Sequence, residues 1–263
     1  MMGLLAGCHD KPAAQRVVVN VVDLPKDTLT SWQKTMRDVR KDLPPIMGYR
    51  FVIVGDFNGD GKLDTLAEHY TSGVTGRESN KFYDSLGDYG DLVALAVLKE
   101  PYSFVLSNDK RMDTLRISQG GQLLGLSYLK NEGDLDGDGA DEVSFLVNAA
   151  DWSSVSTYHI ASYKKGRWRE IYSFGVWDWQ FPPLPDYPIE YGLFGVDGGV
   201  SAVDNDTINK QIRKELEAFP GMIKKVRTNV IRIRYRDSAA EEKEMVVDLR
   251  KTGYTSREIF NTF

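Results

Sequence analysis

A stretch of ten residues with the composition of a tight, oxygen-rich loop occurs twice in this chain. The copies are Gly55-Asp56-Phe57-Asn58-Gly59-Asp60-Gly61-Lys62-Leu63-Asp64 and Gly133-Asp134-Leu135-Asp136-Gly137-Asp138-Gly139-Ala140-Asp141-Glu142. With Asp56 and Asp134 as position 1, oxygen-bearing side chains stand at positions 1, 3, 5 and 9 of each copy. They are Asp56, Asn58, Asp60 and Asp64 in the first, and Asp134, Asp136, Asp138 and Glu142 in the second. Position 6 is Gly61 or Gly139, which permits a sharp reversal that a Cβ would obstruct. A hard cation such as Ca²⁺ takes about six to eight oxygens, and such a loop aims alternate side chains at one point. Position 7, Lys62 or Ala140, offers its backbone carbonyl, so its side chain is unconstrained. The residues predict one calcium ion at each loop. Asp141 lies beside Glu142, and the sequence leaves open which of the two carboxylates closes the second loop.

The flanks decide what kind of calcium loop this is. Position 12 is Ala67 or Phe145, where a helix–loop–helix site requires a bidentate Glu. Around the first copy lie Tyr49 to Val54 and Leu66 to Tyr70; around the second lie Gln122 to Leu129 and Val143 to Val147. These runs are short and rich in β-branched and aromatic residues, so they predict strands. A strand–calcium loop–strand unit with "GDFNGDGKLD" and "GDLDGDGADEV" resembles the FG-GAP/VCBS repeats of integrin-type β-propellers. The resemblance runs from near Tyr49 to near Phe174 and departs from the family pattern at Glu142. It implies propeller-like antiparallel blades in which calcium braces the hairpins.

Bulk properties narrow the setting. A net charge of −5 and a pI near 5.4 argue against a nucleic-acid partner, which needs a concentrated basic surface. Much of the acidity sits in the two loops themselves. The one cysteine, Cys8, ends Leu5-Ala6-Gly7-Cys8, which looks like a bacterial lipobox whose cysteine carries the lipid. Only Met1-Met2-Gly3-Leu4 precedes the box, too little for the apolar stretch of a signal peptide, so the start is read as misassigned or clipped. A free cysteine in a loose N-terminus is the competing reading. No stretch approaches the apolar length needed to span a bilayer.

Residues 1–16 are therefore read as a signal remnant, lipobox and tether, 17–174 as a β domain with two calcium-loop blades, and 175–263 as a C-terminal segment packed on it. Val17 to Val22 predicts a buried strand, and Asp27 or Thr28 caps a helix to about Asp42, stopped by Pro44-Pro45. Thr71 to Asp91 reads as a long exposed loop. Leu92 to Leu98 and Tyr102 to Leu106 complete the first blade. Asp109 to Leu115 loosely echoes Asp60 to Leu66 but lacks the glycine, and is given no metal. Val155 to Tyr163 and Gly166 to Tyr172 complete the second blade, joined by a turn at Lys164-Lys165-Gly166. Two blades do not close a ring, so an open β structure with covered edges is expected. Trp177, Trp179, Phe181, Tyr187, Tyr191 and Phe194 cluster among prolines, either to pin an irregular segment or to stack on a sugar or peptide. Asp206 to Phe219 predicts a helix ended by Pro220-Gly221, and a C-terminal hairpin alternates Ile231, Ile233 and Tyr235 with arginines. The fold expected is mainly β, with flanking helices as the α+β minority.

No catalytic pattern is legible: the three histidines are scattered, and there is no HExxH, GxSxG, P-loop or GxGxxG. His69 and His159 fall on expected strands and are read as structural. The expectation is a non-enzymatic, calcium-stabilised lipoprotein of the bacterial cell envelope. It is lipid-anchored on the periplasmic or surface side, and acts as a binding or scaffold module for a protein or glycan. The alternative is a calcium-dependent, glycan-active envelope hydrolase.

Overall fold

A computed structural model describes residues 49–72, 76, 78, 101–117, 123–149, 155–182, 205–237, 241–251 and 257–258. The expected lipobox at Cys8, the strand at Val17 to Val22, the helix to Asp42, the strand at Leu92 to Leu98 and the aromatics Tyr187, Tyr191 and Phe194 lie outside the described residues. So does most of the expected loop from Thr71 to Asp91; Thr71 and Ser72 themselves belong to a strand.

The protein is mainly β, and the described residues form three antiparallel sheets with no closed barrel among them. The first sheet runs in chain order through β1 (Val52–Gly55), β2 (Asp64–Ser72), β3 (Pro101–Ser107) and β4 (Leu115–Arg116). The second is β5 (Leu123–Gly133), β6 (Glu142–Ala149), β7 (Val155–Lys164) and β8 (Arg167–Trp177), with β12 (Arg257–Glu258) added beyond β8. Helix α1 (Asn205–Ala218) follows, and then β9 (Ile223–Arg227), β10 (Val230–Arg236) and β11 (Glu242–Asp248) form the third sheet. Each oxygen-rich loop joins the first two strands of its sheet. Gly55 pairs with Asp64 across the mouth of one, and Gly133 pairs with Glu142 across the other.

The sheets stack as three layers because the middle one buries apolar side chains on each of its two faces. In β2, buried Asp64, Leu66, Glu68 and Tyr70 alternate with partly exposed neighbours, the pattern of a strand covered on one side. In β6 every residue from Glu142 to Leu146 is buried. Val143 and Phe145 join Leu66, Val105, Leu115 and Leu126 in one core. Leu146 joins Tyr128, Tyr158 and Ile160 with Ile223, Ile231, Ile233 and Val247 of the third sheet in another. Helix α1 contributes Ile208 and Ile212 to the first core, while Phe219 just beyond it packs on the second. The buried Glu68 carboxylate ties layers one and two, accepting the Phe51 N–H at 3.1 Å and the Leu126 N–H at 2.8 Å.

Three expectations are corrected. The fourth strand of the first sheet is Leu115–Arg116, from the stretch read only as an echo of the loop. The second sheet continues to Trp177, past the boundary expected between 174 and 175. The C-terminal hairpin is a three-stranded sheet, because Ile223–Arg227 pairs along the other edge of β10.

Candidate metal centres

Both loops are wound by closely similar internal hydrogen bonds, and these follow from the residue types at alternate positions. The position-1 carboxylate accepts two loop N–H groups in each. Asp56 takes Asp60 at 3.0 Å and Gly61 at 2.8 Å; Asp134 takes Gly137 at 2.5 Å and Gly139 at 3.2 Å. Position 3 accepts the N–H of position 5: Asn58 from Asp60 at 2.9 Å, Asp136 from Asp138 at 3.3 Å. Position 5 accepts the N–H of position 7: Asp60 from Lys62 at 3.1 Å, Asp138 from Ala140 at 3.0 Å. Short polar side chains that bond the backbone two residues on create such turns. At position 1 both carboxylate oxygens go to loop donors, while Asp60, Asp136 and Asp138 each keep one oxygen that accepts no loop N–H. The turns also need left-handed backbone at positions 4 and 6, met by Gly59 and Gly61 (φ 71 and 81) and by Gly137 and Gly139 (φ 85 and 93). Only position 6 stood out in the sequence.

Position 2 anchors each loop. Phe57 and Leu135 are 0% and 1% exposed, and they enter different cores: Phe57 the one between the first and second sheets, Leu135 the one between the second and third.

Position 9 is the decisive one. Asp64 and Glu142 are buried carboxylates, and Asp64 Oδ2 and Glu142 Oε1 are among the few buried polar atoms of the described residues that find no hydrogen-bond partner. Such atoms are costly to leave unpaired unless something else satisfies them. Burial, then the charge of Asp136, pushes Glu142 up to about 7, against a backbone bond from Leu135 at 2.5 Å. Ser162 is near enough to pull slightly the other way, although its hydroxyl makes no hydrogen bond of good geometry. Burial raises Asp64 too, followed by the charges of Asp109, Asp60 and Asp56. A bound divalent cation would supply what both orphaned oxygens lack. All the convergent donors are hard oxygens, the set that suits calcium over a softer metal.

The two centres differ in how far they converge. Carboxylate oxygens of Asp134, Asp136 and Asp138 lie within 4.8 Å of one another; among the described residues no such trio forms from Asp56, Asp60 and Asp64. Asp141, the second candidate for closing loop two, points away from it. Its Oδ2 accepts the Asp56 N–H at 3.0 Å and an Asn131 Nδ2–H at 2.8 Å, and its own N–H donates to the Asp56 carbonyl at 2.8 Å. Glu142, and not Asp141, faces loop two, and Asp141 straps the two loops together.

Several residues at these centres carried no local signal. Asp109 accepts from Asn58 Nδ2 at 3.2 Å and Asn108 Oδ1 accepts the Thr65 N–H at 2.9 Å, so the turn after β3 props the first loop. The turn after β9 props the second. Asn229, with φ 60, donates from Nδ2 to the Asp136 carbonyl at 2.8 Å and from its N–H to the Leu135 carbonyl at 2.8 Å, and Lys225 Nζ bonds the Asp134 carbonyl. The partial echo at Asp109 could have pointed to the first of these props; nothing local marks Asn229. His69 and His159 sit in strands as expected, stacked on Phe104 and Phe145 and each bonded to a glutamate, Glu78 and Glu170. Comparison with protein-family models, with curated proteins and with solved structures returned no match.

Proposed function

We propose that the protein is a calcium-stabilised binding or scaffold module of the cell envelope, held to the membrane through a lipid on Cys8. Asp56, Asn58, Asp60 and Asp64 would hold one ion, with the Lys62 carbonyl; Asp134, Asp136, Asp138 and Glu142 the other, with the Ala140 carbonyl. The observation that carries the reading is the orphaned buried oxygen at position 9 of both loops, Asp64 Oδ2 and Glu142 Oε1. Calcium supplies the counter-charge there and fixes hairpin tips in two adjoining layers. The propeller likeness is supported by sheets of like strand order, stacked face to face, with a loop at the first hairpin of each of the first two. No helix among the described residues is long and apolar enough to cross a membrane.

A glycan or peptide partner fits the stacked Trp177 and Trp179 rings, 4.4 Å apart, with Trp179 half exposed at the end of the second sheet. An aromatic platform of this kind offers a flat apolar face beside polar Asp178 and Gln180. Equilibrium dialysis with radioactive calcium should find two ions per chain, and a glycan and peptide array should lose its signal on Trp179→Ala. Membrane fractionation with and without Cys8→Ala tests the anchor. No calcium uptake at millimolar concentration ends the proposal.

A further inference from the structure

The second loop already holds a cation, supplied by the chain. Lys164 is the last residue of β7, and its ammonium bonds Asp136 Oδ2 and lies 3.2 Å from Asp138 Oδ2. Those are two of the three carboxylates that converge. The placement is fixed by the hairpin. Lys165 and Gly166, at φ 54 and 79, form a two-residue turn that holds Lys164 at the strand end, its side chain one-third exposed. An ammonium offers donors only, and it cannot share two carboxylates at close range with a divalent ion without strong repulsion.

We propose that Lys164 is a tethered counter-ion that competes with calcium for Asp136 and Asp138. It offsets part of the second loop's negative charge in the ion-free chain and helps keep it folded, and calcium binds by displacing it. The inference rests on the calcium reading of the loop and adds what sets its affinity: a site with four carboxylates is held weaker than its ligands alone would make it. The first loop has a looser counterpart. Arg111, in the turn between β3 and β4, reaches Asp60 at 3.0 Å but spends its shorter contact, 2.6 Å, on Asp109 outside the loop. Its side chain is 74% exposed, so it holds one loop carboxylate from the solvent side. Each of the first two sheets thus aims a cation from the connection between its third and fourth strands at the acidic loop between its first and second.

Calorimetric calcium titration of the full chain tests this with Lys164→Met against Lys165→Met, which removes the same charge one residue away on an exposed side chain. Lys164→Met should bind calcium at the second site about tenfold more tightly, a change of about 1.4 kcal/mol. Lys165→Met should leave affinity where it was. Melting in EDTA should fall for Lys164→Met, while melting in calcium should not. Lys164→Gln, which keeps hydrogen-bond donors without the charge, should repeat the gain if Lys164→Met folds poorly. Equal affinities for wild type, Lys164→Met and Lys164→Gln, with two ions bound to each, overturn the tethered-ion role and leave the calcium reading intact. A wild-type chain that binds no calcium, with variants that bind none, overturns both.

Discussion

The two loops share eight of their defining positions in kind, and most of their internal hydrogen bonds, yet the molecule treats them differently. The first projects from a sheet covered on one face. Its position-8 residue, Leu63, is 73% exposed, and its props are the Asn108-Asp109 turn and the Asp141 strap. The second projects from the middle layer. Its position-8 residue is the strap itself, and the carbonyls of Asp134, Leu135 and Asp136 are all taken by the third sheet. Ion affinity rises with ligand charge and with site rigidity. The second loop has four acidic ligands and the first has three beside Asn58, so the second should be the tighter, more preformed site even with Lys164 in place. A motif written twice therefore supplies two different devices, because what surrounds a ligand loop decides how much of its shape survives without the ion.

The largest effects should come from the anchors. Phe57→Ala should cost about 3–5 kcal/mol and Leu135→Ala about 2–5 kcal/mol in urea unfolding, the usual range for emptied core sites. The contrast lies in where the damage falls. Hydrogen exchange should quicken in β1 to β4 for Phe57→Ala and in β9 to β11 for Leu135→Ala, since the two side chains enter different cores. Identical exchange maps would show that the layers respond as one body. Chelation comes next. An ion held at about a hundred times its dissociation constant stabilises by about 2.7 kcal/mol, so EDTA should lower the melting temperature. Asp138→Ala should remove one bound calcium and lower melting more than Asp60→Ala, which should remove the other. An EDTA-insensitive melting curve, or equal losses from the two variants, would break the comparison.

How much of this was legible in sequence depends on whether the signal was local. The oxygen spacing, the strand flanks and the helix with Ile208 and Ile212 on its inner face are periodic patterns, and each has its counterpart in the structure. Strand β9 escaped because only Ile223 of its five residues is buried, so it shows no alternation. The choice between Asp141 and Glu142 was open because successive residues where a loop enters a strand face opposite sides, and which side holds the loop depends on the neighbouring sheet. Glu68 read as one more flank residue, yet its carboxylate joins two sheets, with acceptor duties to residues far away in the chain. Asn229 and Lys164 reach the second loop from other hairpins. Contacts of this kind follow from tertiary packing and leave no spacing to read.

A smaller effect separates the third sheet from the loop it props. Asn229→Ala should cost about 1–3 kcal/mol, because it strips an acceptor carbonyl of its partner and puts a side chain less suited to left-handed backbone at φ 60. Calcium binding at the second site should weaken with it, while the first site should not change. Asn229→Gly, which tolerates the backbone but also lacks the amide, separates the two causes: if stability recovers while affinity does not, the side-chain bond to Asp136 is what shapes the site.

The smallest expected effect is the most informative about the pair. The Asp141 carboxylate and N–H clasp the backbone of Asp56, position 1 of the other loop. Gly55 leaves room for the clasp: a Cβ there would fall 2.5 Å from Asp141 Oδ2 and 2.2 Å from Asn131 Nδ2. Glu142 is the next residue, so a shift of one closing ligand is transmitted to the first residue of the neighbouring site through a single backbone step. Energetic coupling between two binding sites is reciprocal, and calcium at either loop should then favour calcium at the other. Asp141→Ala removes one partly buried acceptor and should lower stability by only about 1 kcal/mol. It keeps all eight ligand side chains, so two ions should still bind. What should change is their mutual dependence, read by titrating the second site in wild type and in Asp60→Ala, each with and without Asp141→Ala. A loss of second-site affinity on Asp60→Ala that persists unchanged in the Asp141→Ala background would show that the loops communicate by another route, or by charge alone.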